Sequence, residues 1–221
     1  KHHLYTCEMM DDTILNCTKT NREQAKNRFF IQGEPKAIIM LEVAADTIED
    51  AERQAEALIA DLKQNNFGYA LPKLYGKEID KINALRKAGL GLLGSIVGDD
   101  KAADSIEDTA VELSDLPNYI AEFAAMMKKY GQEAIYYAHA GAGELHLRPI
   151  LNLKKKEDLQ LFRTIATEVA VLVKKYRGSL SGEHGDGIVR GEFLPYMIGE
   201  NNYELLKRIK KAFDPNSIFN K

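Results

Sequence analysis

Three of the five histidines lie in two short glycine-punctuated segments, His139-Ala-Gly-Ala-Gly-Glu-Leu-His146 and Ser181-Gly-Glu-His-Gly-Asp-Gly187. Imidazole and carboxylate are the side chains that ligate divalent metals and carry protons near neutral pH. Glycine lets the backbone turn tightly and lets a ligand come close to it. Two such segments in one chain predict a single composite site.

The first segment has the form of a hairpin. With Ala142-Gly143 as a two-residue turn, Gly141 pairs with Glu144, Ala140 with Leu145 and His139 with His146, because paired numbers keep a constant sum in an antiparallel ladder. Both imidazoles then share a face, with Cβ atoms roughly 4.5 to 5.5 Å apart, close enough for two nitrogens to reach one metal. A cross-strand histidine pair without metal has the same spacing. Glu183 would complete a His/His/Glu ligand set with a position left open for a substrate oxygen, and His184 beside it would face the substrate as a general base. A solvated Glu-His loop is the plain alternative. Against it stand Gly182, Gly185 and Gly187, which suit a backbone that touches a ligand.

These segments need a scaffold, and the sequence alternates strand and helix signals. Met9, Met10 and Ile14 have helix-like spacing. Ala37 to Val43 is a β-branched, apolar strand candidate. Asp46-Thr-Ile-Glu49 has the shape of a capping box, followed by Ile48, Ala51, Ala55, Leu58, Ile59 and Leu62 at helical spacing. A short strand at Phe67 to Leu71 is expected to close a β-α-β unit. A helix near Ile79 to Ala88 precedes the glycine-rich run Ala88 to Gly94 and a loop through Gly98-Asp-Asp100. The pattern repeats with a strand in Ser105 to Leu113, a helix opened by Pro117, and a strand from Glu133 to His139. Leu159, Phe162, Ile165, Ala166, Val169, Leu172, Val173 and Tyr176 form a stripe on a long helix, with Gly178 as its expected C-cap. A helical tail occupies 188–221, where Tyr203, Leu206, Ile209 and Phe213 precede the stop at Asp214-Pro215. The fold class expected is α+β: a ferredoxin-like β-α-β repeat with an antiparallel sheet, the hairpin appended, in a single domain spanning 1–221.

Composition limits the partners. The chain has 221 residues, 45% apolar and 29% charged, with a formal charge of −3. That balance gives no electrostatic case for nucleic acid or an anionic membrane, and small molecules are the expected ligands. Cys7 and Cys17 lack the C-x-x-C spacing of a redox pair or zinc knuckle, which fits a reducing, cytoplasmic setting. No run approaches the roughly 18 to 20 apolar residues of a membrane span. The start at Lys1-His-His-Leu4 reads as though cut from something longer.

Five motifs in order carry a family resemblance: Arg86-Lys-Ala-Gly-Leu-Gly-Leu-Leu93, Ile106-Glu-Asp-Thr-Ala-Val111, the hairpin His139 to Pro149, the loop Ser181 to Gly187, and the ending Phe213-Asp-Pro-Asn-Ser-Ile-Phe-Asn220. Together they resemble the C-terminal domain of FAD-linked oxidases, the group that includes glycolate oxidase, D-lactate dehydrogenases and D-2-hydroxyglutarate dehydrogenase. The resemblance runs from near Glu8 to Asn220. It implies a cap domain that supplies substrate groups to FAD held mainly by an N-terminal domain of the vanillyl-alcohol-oxidase type, absent from this sequence. It implies oxidation of a 2-hydroxy acid by hydride transfer to the flavin.

Carried over residue by residue, the resemblance implies His139, His146 and Glu183 as ligands of a divalent metal, with zinc the expected identity, and His184 as the base. Arg86 is at the family position for a substrate-carboxylate clamp, and Arg148, two residues beyond His146, is the second candidate. Asn220 is the candidate for cofactor contact. The sequence departs from the family with Ala142 and Glu144 where metal-bearing members have Asp and Asn. It has Leu90 and Ile106 where the 2-hydroxyglutarate enzymes have substrate-contacting Thr and Lys. The form Ile106 to Val111 with Gly-Glu-Leu-His is closer to large bacterial dehydrogenases joined to an iron-sulfur module, an expected partner alongside the flavin domain. An electron acceptor of that kind would make the protein membrane-peripheral, and the uncovered flavin-domain face is expected to favour self-association. Two other classes use the same residues differently: an independent His/His/Glu metallohydrolase that activates water, and a non-catalytic ferredoxin-like binding module.

Overall fold

An antiparallel sheet with helices on both faces carries the two histidine segments. The computed structural model describes residues 2–219. Strands β1 (Thr6–Asp11), β2 (Ala37–Glu42), β3 (Lys101–Ala102), β4 (Glu107–Ala110), β5 (Ala134–His139) and β6 (Glu144–Leu151) form the sheet, in the order β2-β1-β5-β6-β3, with β4 also paired to β6. Every pairing is antiparallel. The helices are α1 (Asp12–Thr20), α2 (Ile48–Gln64), α3 (Lys77–Leu92), α4 (Leu116–Lys129), α5 (Lys156–Lys175), α6 (Gly187–Arg190), α7 (Leu194–Ile198) and α8 (Glu200–Phe213). Among the described residues no helix is long and apolar enough to cross a membrane.

Alternation along β5 and β6 divides the interior in two, since successive strand side chains point to opposite faces. Ala138, Leu145 and Leu147 face Phe123 of α4 and Ile165, Val169 and Val173 of α5. Ile135 and Tyr137 face the other way, onto Met10, Ile14, Leu15 and Leu85 from β1, α1 and α3. His139, Glu144, His146 and Arg148 share this second face, so the chemistry-bearing row sits beside the smaller core. Strands β4 and β5 both run antiparallel to β6, which makes β4-α4-β5 a split β-α-β unit around it.

The α+β architecture, the hairpin and the helical C-terminal tail are all present, while several local expectations change. Met9 and Met10 belong to β1, not to a helix; Asp11 ends that strand and caps α1 by accepting from the Ile14 amide at 3.1 Å. Helix α2 is capped by Thr47, whose hydroxyl accepts from the Asp50 amide, and not by Asp46. None of its residues is fully buried, and Ile48 is exposed. Residues 67–71 form no strand; the backbone there runs as a loop into α3. The glycine-rich run continues α3 as far as Leu92, and its Gly89 serves close packing: a Cβ there would lie 2.7 Å from Ile14 Cγ2 of α1. The strand expected over 105–113 contracts to Glu107–Ala110.

Helix α5 ends differently from the sequence expectation. Tyr176 is the C-cap and Arg177 takes the left-handed conformation, while the Gly178 amide reaches back to the Val173 carbonyl at 2.9 Å, a Schellman closure. Gly178 is needed for proximity instead: a Cβ there would sit 2.3 Å from the Ala110 carbonyl oxygen of β4. At the other end Leu159 is exposed although it lies on the apolar stripe. Strand β4 carries a β-bulge. Glu107 lies opposite His146 and Thr109 opposite Leu145, so Asp108 is an extra residue, with φ at +83°.

Candidate active site

The hairpin register differs by two from the expectation. Tyr137 pairs with His146 and His139 with Glu144, since the connection is a 3-10 turn over Ala140–Ala142 closed by left-handed Gly143, not a two-residue turn. A shift of two preserves the face. His139 and His146 are therefore diagonal neighbours with ring centroids 5.3 Å apart, and Glu144 joins them on the same side.

The second segment is brought over this face by Asp108. Its carboxylate accepts from the Glu183 and His184 amides at 2.9 Å each and from the Ser181 hydroxyl at 2.5 Å, while its carbonyl accepts from the Gly182 amide at 2.7 Å. Burial opposes its charge, but the hydrogen bonds from Ser181, from Glu144 and from the two amides outweigh that and hold the carboxyl down at about 2. Gly182 lies against the Glu144 side chain, where a Cβ would come within 3.1 Å. Gly185 and Gly187 have positive φ, and the Arg190 guanidinium donates to the Gly185 carbonyl at 2.7 Å.

The result is a convergence on one oxygen. Glu183 Oε1 lies 3.4 Å from His139 Nε2, 3.9 Å from His146 Nε2 and 3.3 Å from His184 Nε2. The side chains grade from interior to surface: His146 is 2% exposed, His139 30%, His184 45% and Glu183 49%, so the cluster opens to solvent along the loop. His146 is pushed down to about 4 by burial and by the neighbouring imidazoles of His139 and His184. Glu144 is pushed up to about 7 by burial, by its shared hydrogen bond with Asp108 and by the charge of Glu183.

The donors fit a divalent cation. Atoms of His139, Glu144, His146 and Glu183 all lie within 4.8 Å of one another, and Glu144 Oε1, 3.9 Å from His146 Nε2, is buried without a hydrogen-bond partner. His184 stands apart from this quartet, grouped with Glu107 and His146. The two arginines are internally engaged. Arg86 Nη2 is 2.5 Å from Glu8 Oε2 and 3.1 Å from His139 Nδ1, and its guanidinium lies over the Tyr137 ring at 4.7 Å. Arg148 pairs with Glu107 Oε2. Asn220 lies outside the described residues.

Sequence reasoning brings the three histidines and Glu183 together but misses Glu8, Glu107, Asp108 and Glu144 as parts of the same network. Adjacent acids inside the apolar stretch Ile106 to Val111 are the available signal for Glu107 and Asp108, since buried carboxylates need partners. Glu8 offers no comparable signal.

A D-2-hydroxyglutarate dehydrogenase of Pseudomonas putida is 36% identical over 188 residues, 83% of this chain and 18% of that protein. The Haemophilus influenzae protein of the same name is 34% identical over 235 residues, 100% of this chain and 22% of its own length. Glycolate oxidase subunit GlcD of Bacillus subtilis is 24% identical across 84% of this chain and 38% of its own. The chain thus spans about a fifth of the dehydrogenases it matches. In fold it is similar to 4-ethylphenol oxidase from Gulosibacter chungangensis, solved as an isoeugenol complex, with a TM-score of 0.57 at 12% identity, covering 97% of this chain and 46% of that one. The model of the FAD linked oxidases, C-terminal domain, matches residues 1–221, and the chain belongs to that family.

Proposed function

We infer that this chain is the substrate-side domain of an FAD-dependent dehydrogenase of 2-hydroxy acids, with glycolate, D-lactate and D-2-hydroxyglutarate the types in view. The observation that carries the reading is the convergence of His139, His146 and His184 Nε2 on Glu183 Oε1 from two separate segments. Family membership and relatives named for hydroxy-acid oxidation support it. FAD, held by an N-terminal domain outside these residues, would supply the hydride acceptor. A divalent cation, zinc being the expected one, would be held by His139, His146 and Glu183 and would supply Lewis acidity at the substrate oxygen.

This chain's own residues then divide the work. His184, outside the donor group of His139, Glu144, His146 and Glu183 and nearly half exposed, takes the hydroxyl proton at Nε2. His146, buried and held in its neutral form, keeps a lone pair for ligation. Arg86 is the candidate for the substrate carboxylate, which must then compete with Glu8 for the guanidinium.

In the complete enzyme, His184→Asn should lower the rate by about 100- to 10,000-fold with metal content kept, the scale of a lost general base. His146→Ala should lose the metal. Full activity in His184→Asn, or metal loss there with none in His146→Ala, overturns the assignment.

A further inference from the structure

Glu107 has no part in the roles assigned so far, yet it sits directly behind the proposed base. Its Oε1 is 3.1 Å from His184 Nδ1, while His184 Nε2 faces Glu183 Oε1 at 3.3 Å. Its other oxygen, Oε2, pairs with Arg148. The carboxylate is 12% exposed and the guanidinium 20%, so the pair is a largely interior feature and not a solvated surface contact. The bulge at Asp108 sets the position: Glu107 remains opposite His146 in β4, while the next residue is freed to bind the backbone of the His184 loop.

An imidazole is asymmetric, and the partner of one nitrogen decides what the other can do. His184 has a carboxylate at each ring nitrogen, and Glu107 Oε1 at Nδ1 is both the nearer, at 3.1 Å against 3.3 Å for Glu183 Oε1 at Nε2, and the more buried, at 12% exposed against 49%, which favours the tautomer with the proton on Nδ1 and the lone pair on Nε2. We propose that Glu107 is a positioning residue for His184: it accepts the Nδ1–H hydrogen bond, directs the Nε2 lone pair into the mouth of the site, and is itself held by Arg148. The inference rests on the base role given to His184 above. It also gives Arg148 a task other than substrate binding.

A competing use of the same atoms is ligation, since Glu107, His146 and His184 form a second group of metal-capable donors. Two observations count against it. The Arg148 guanidinium places positive charge on the carboxylate that would face a cation, and His184 directs Nε2 away from Glu107 toward Glu183. His146 Nδ1, at 3.8 Å from Glu107 Oε1, is too far for a hydrogen bond.

The first test is long-range 1H–15N correlation of the imidazoles in the 221-residue chain without metal. His184 is expected to carry its proton on Nδ1; a proton on Nε2 overturns the proposal. Glu107→Ala should move that proton toward Nε2, whereas Glu107→Gln, which keeps an acceptor oxygen, should retain it on Nδ1. In the complete enzyme Glu107→Ala should lower kcat by about 10- to 100-fold with KM nearly unchanged, and Glu107→Gln should recover most of the loss. An unchanged kcat in folded Glu107→Ala overturns the proposal. So does a loss of Co2+ affinity as large as that of His146→Ala, since Glu107 would then be a ligand. If Glu107→Ala does not fold, the wild-type tautomer and the Gln variant decide. Failure of the wider reading is separable: a fully active His184→Asn removes the base role, whereas the wrong tautomer with an inactive His184→Asn removes only the part given to Glu107.

Discussion

Helix α5 sends Ile165, Ala166, Val169, Ala170, Leu172 and Val173 into the core, while α8, with Tyr203, Leu206, Ile209 and Phe213 at comparable spacing, buries none of its residues. The pattern that marks a helical face is the same in both. Helix α5 follows β6 after a short connection and folds back over the sheet, where α4 and the Leu145 and Leu147 side chains cover it. Helix α8 packs mainly beside α7 and leaves Phe213 86% exposed. Periodicity reports that a face is apolar; connectivity decides whether the same chain covers it.

The largest expected effect is therefore in α5. Ile165→Ala should cost about 2–5 kcal/mol, read as a lower denaturant midpoint, because a fully buried side chain leaves a cavity. Asp108→Ala should follow at about 1–3 kcal/mol, since the Ser181 hydroxyl and the Glu183 and His184 amides lose their acceptor. Faster hydrogen exchange confined to those amides would tie that loss to the loop. In α8, Ile209→Glu and Phe213→Glu should each change stability by less than about 0.5 kcal/mol while reducing concentration-dependent association in light scattering. A drop in either variant as large as that of Ile165→Ala would break the comparison.

The smallest effect concerns the ion pairs that join α4 to α5. Glu122 is held below its ordinary range by hydrogen bonds from Lys175 and Tyr176, and Glu168 by hydrogen bonds from Lys129 and Tyr130. A carboxyl depressed on folding adds stability above its unfolded value, near 4.5, and loses it as the pH falls through the folded value. Wild-type chain and the double variant Glu122→Gln/Glu168→Gln should therefore differ at about pH 6 and converge under acid. An equal difference at both pH values would exclude these pairs as the cause.

Much of the site is legible in the sequence because its geometry tolerates error. The hairpin spacing reads as a two-residue turn where the chain uses four, yet His139 and His146 still share a face, since a register change of two restores side-chain direction. An error of one would have separated them. Strand β1 is hidden because Met9 and Met10 are adjacent and Ile14 follows at a near-helical interval, while the pairing that makes it a strand comes from β2 and β5, distant in sequence. Glu8 is invisible for the same reason, as its partners Arg86 and His139 lie on α3 and β5. Residues 67–71 have the composition of a strand but lie in a loop, where the Tyr69 hydroxyl donates to the Gln32 carbonyl at 2.6 Å.

The extra residue in β4 gives chain length at that point a role distinct from residue identity. With Asp108 inserted, Glu107 and Asp108 serve the same loop from one strand, the first through the His184 ring and the second through the loop backbone. Without the insertion, neighbours would point to opposite sides of the sheet. A one-residue deletion here would turn one of the two acids away while leaving the composition of the strand almost unchanged, so homologues that keep this loop arrangement should vary more readily in the side chains of β4 than in its residue count.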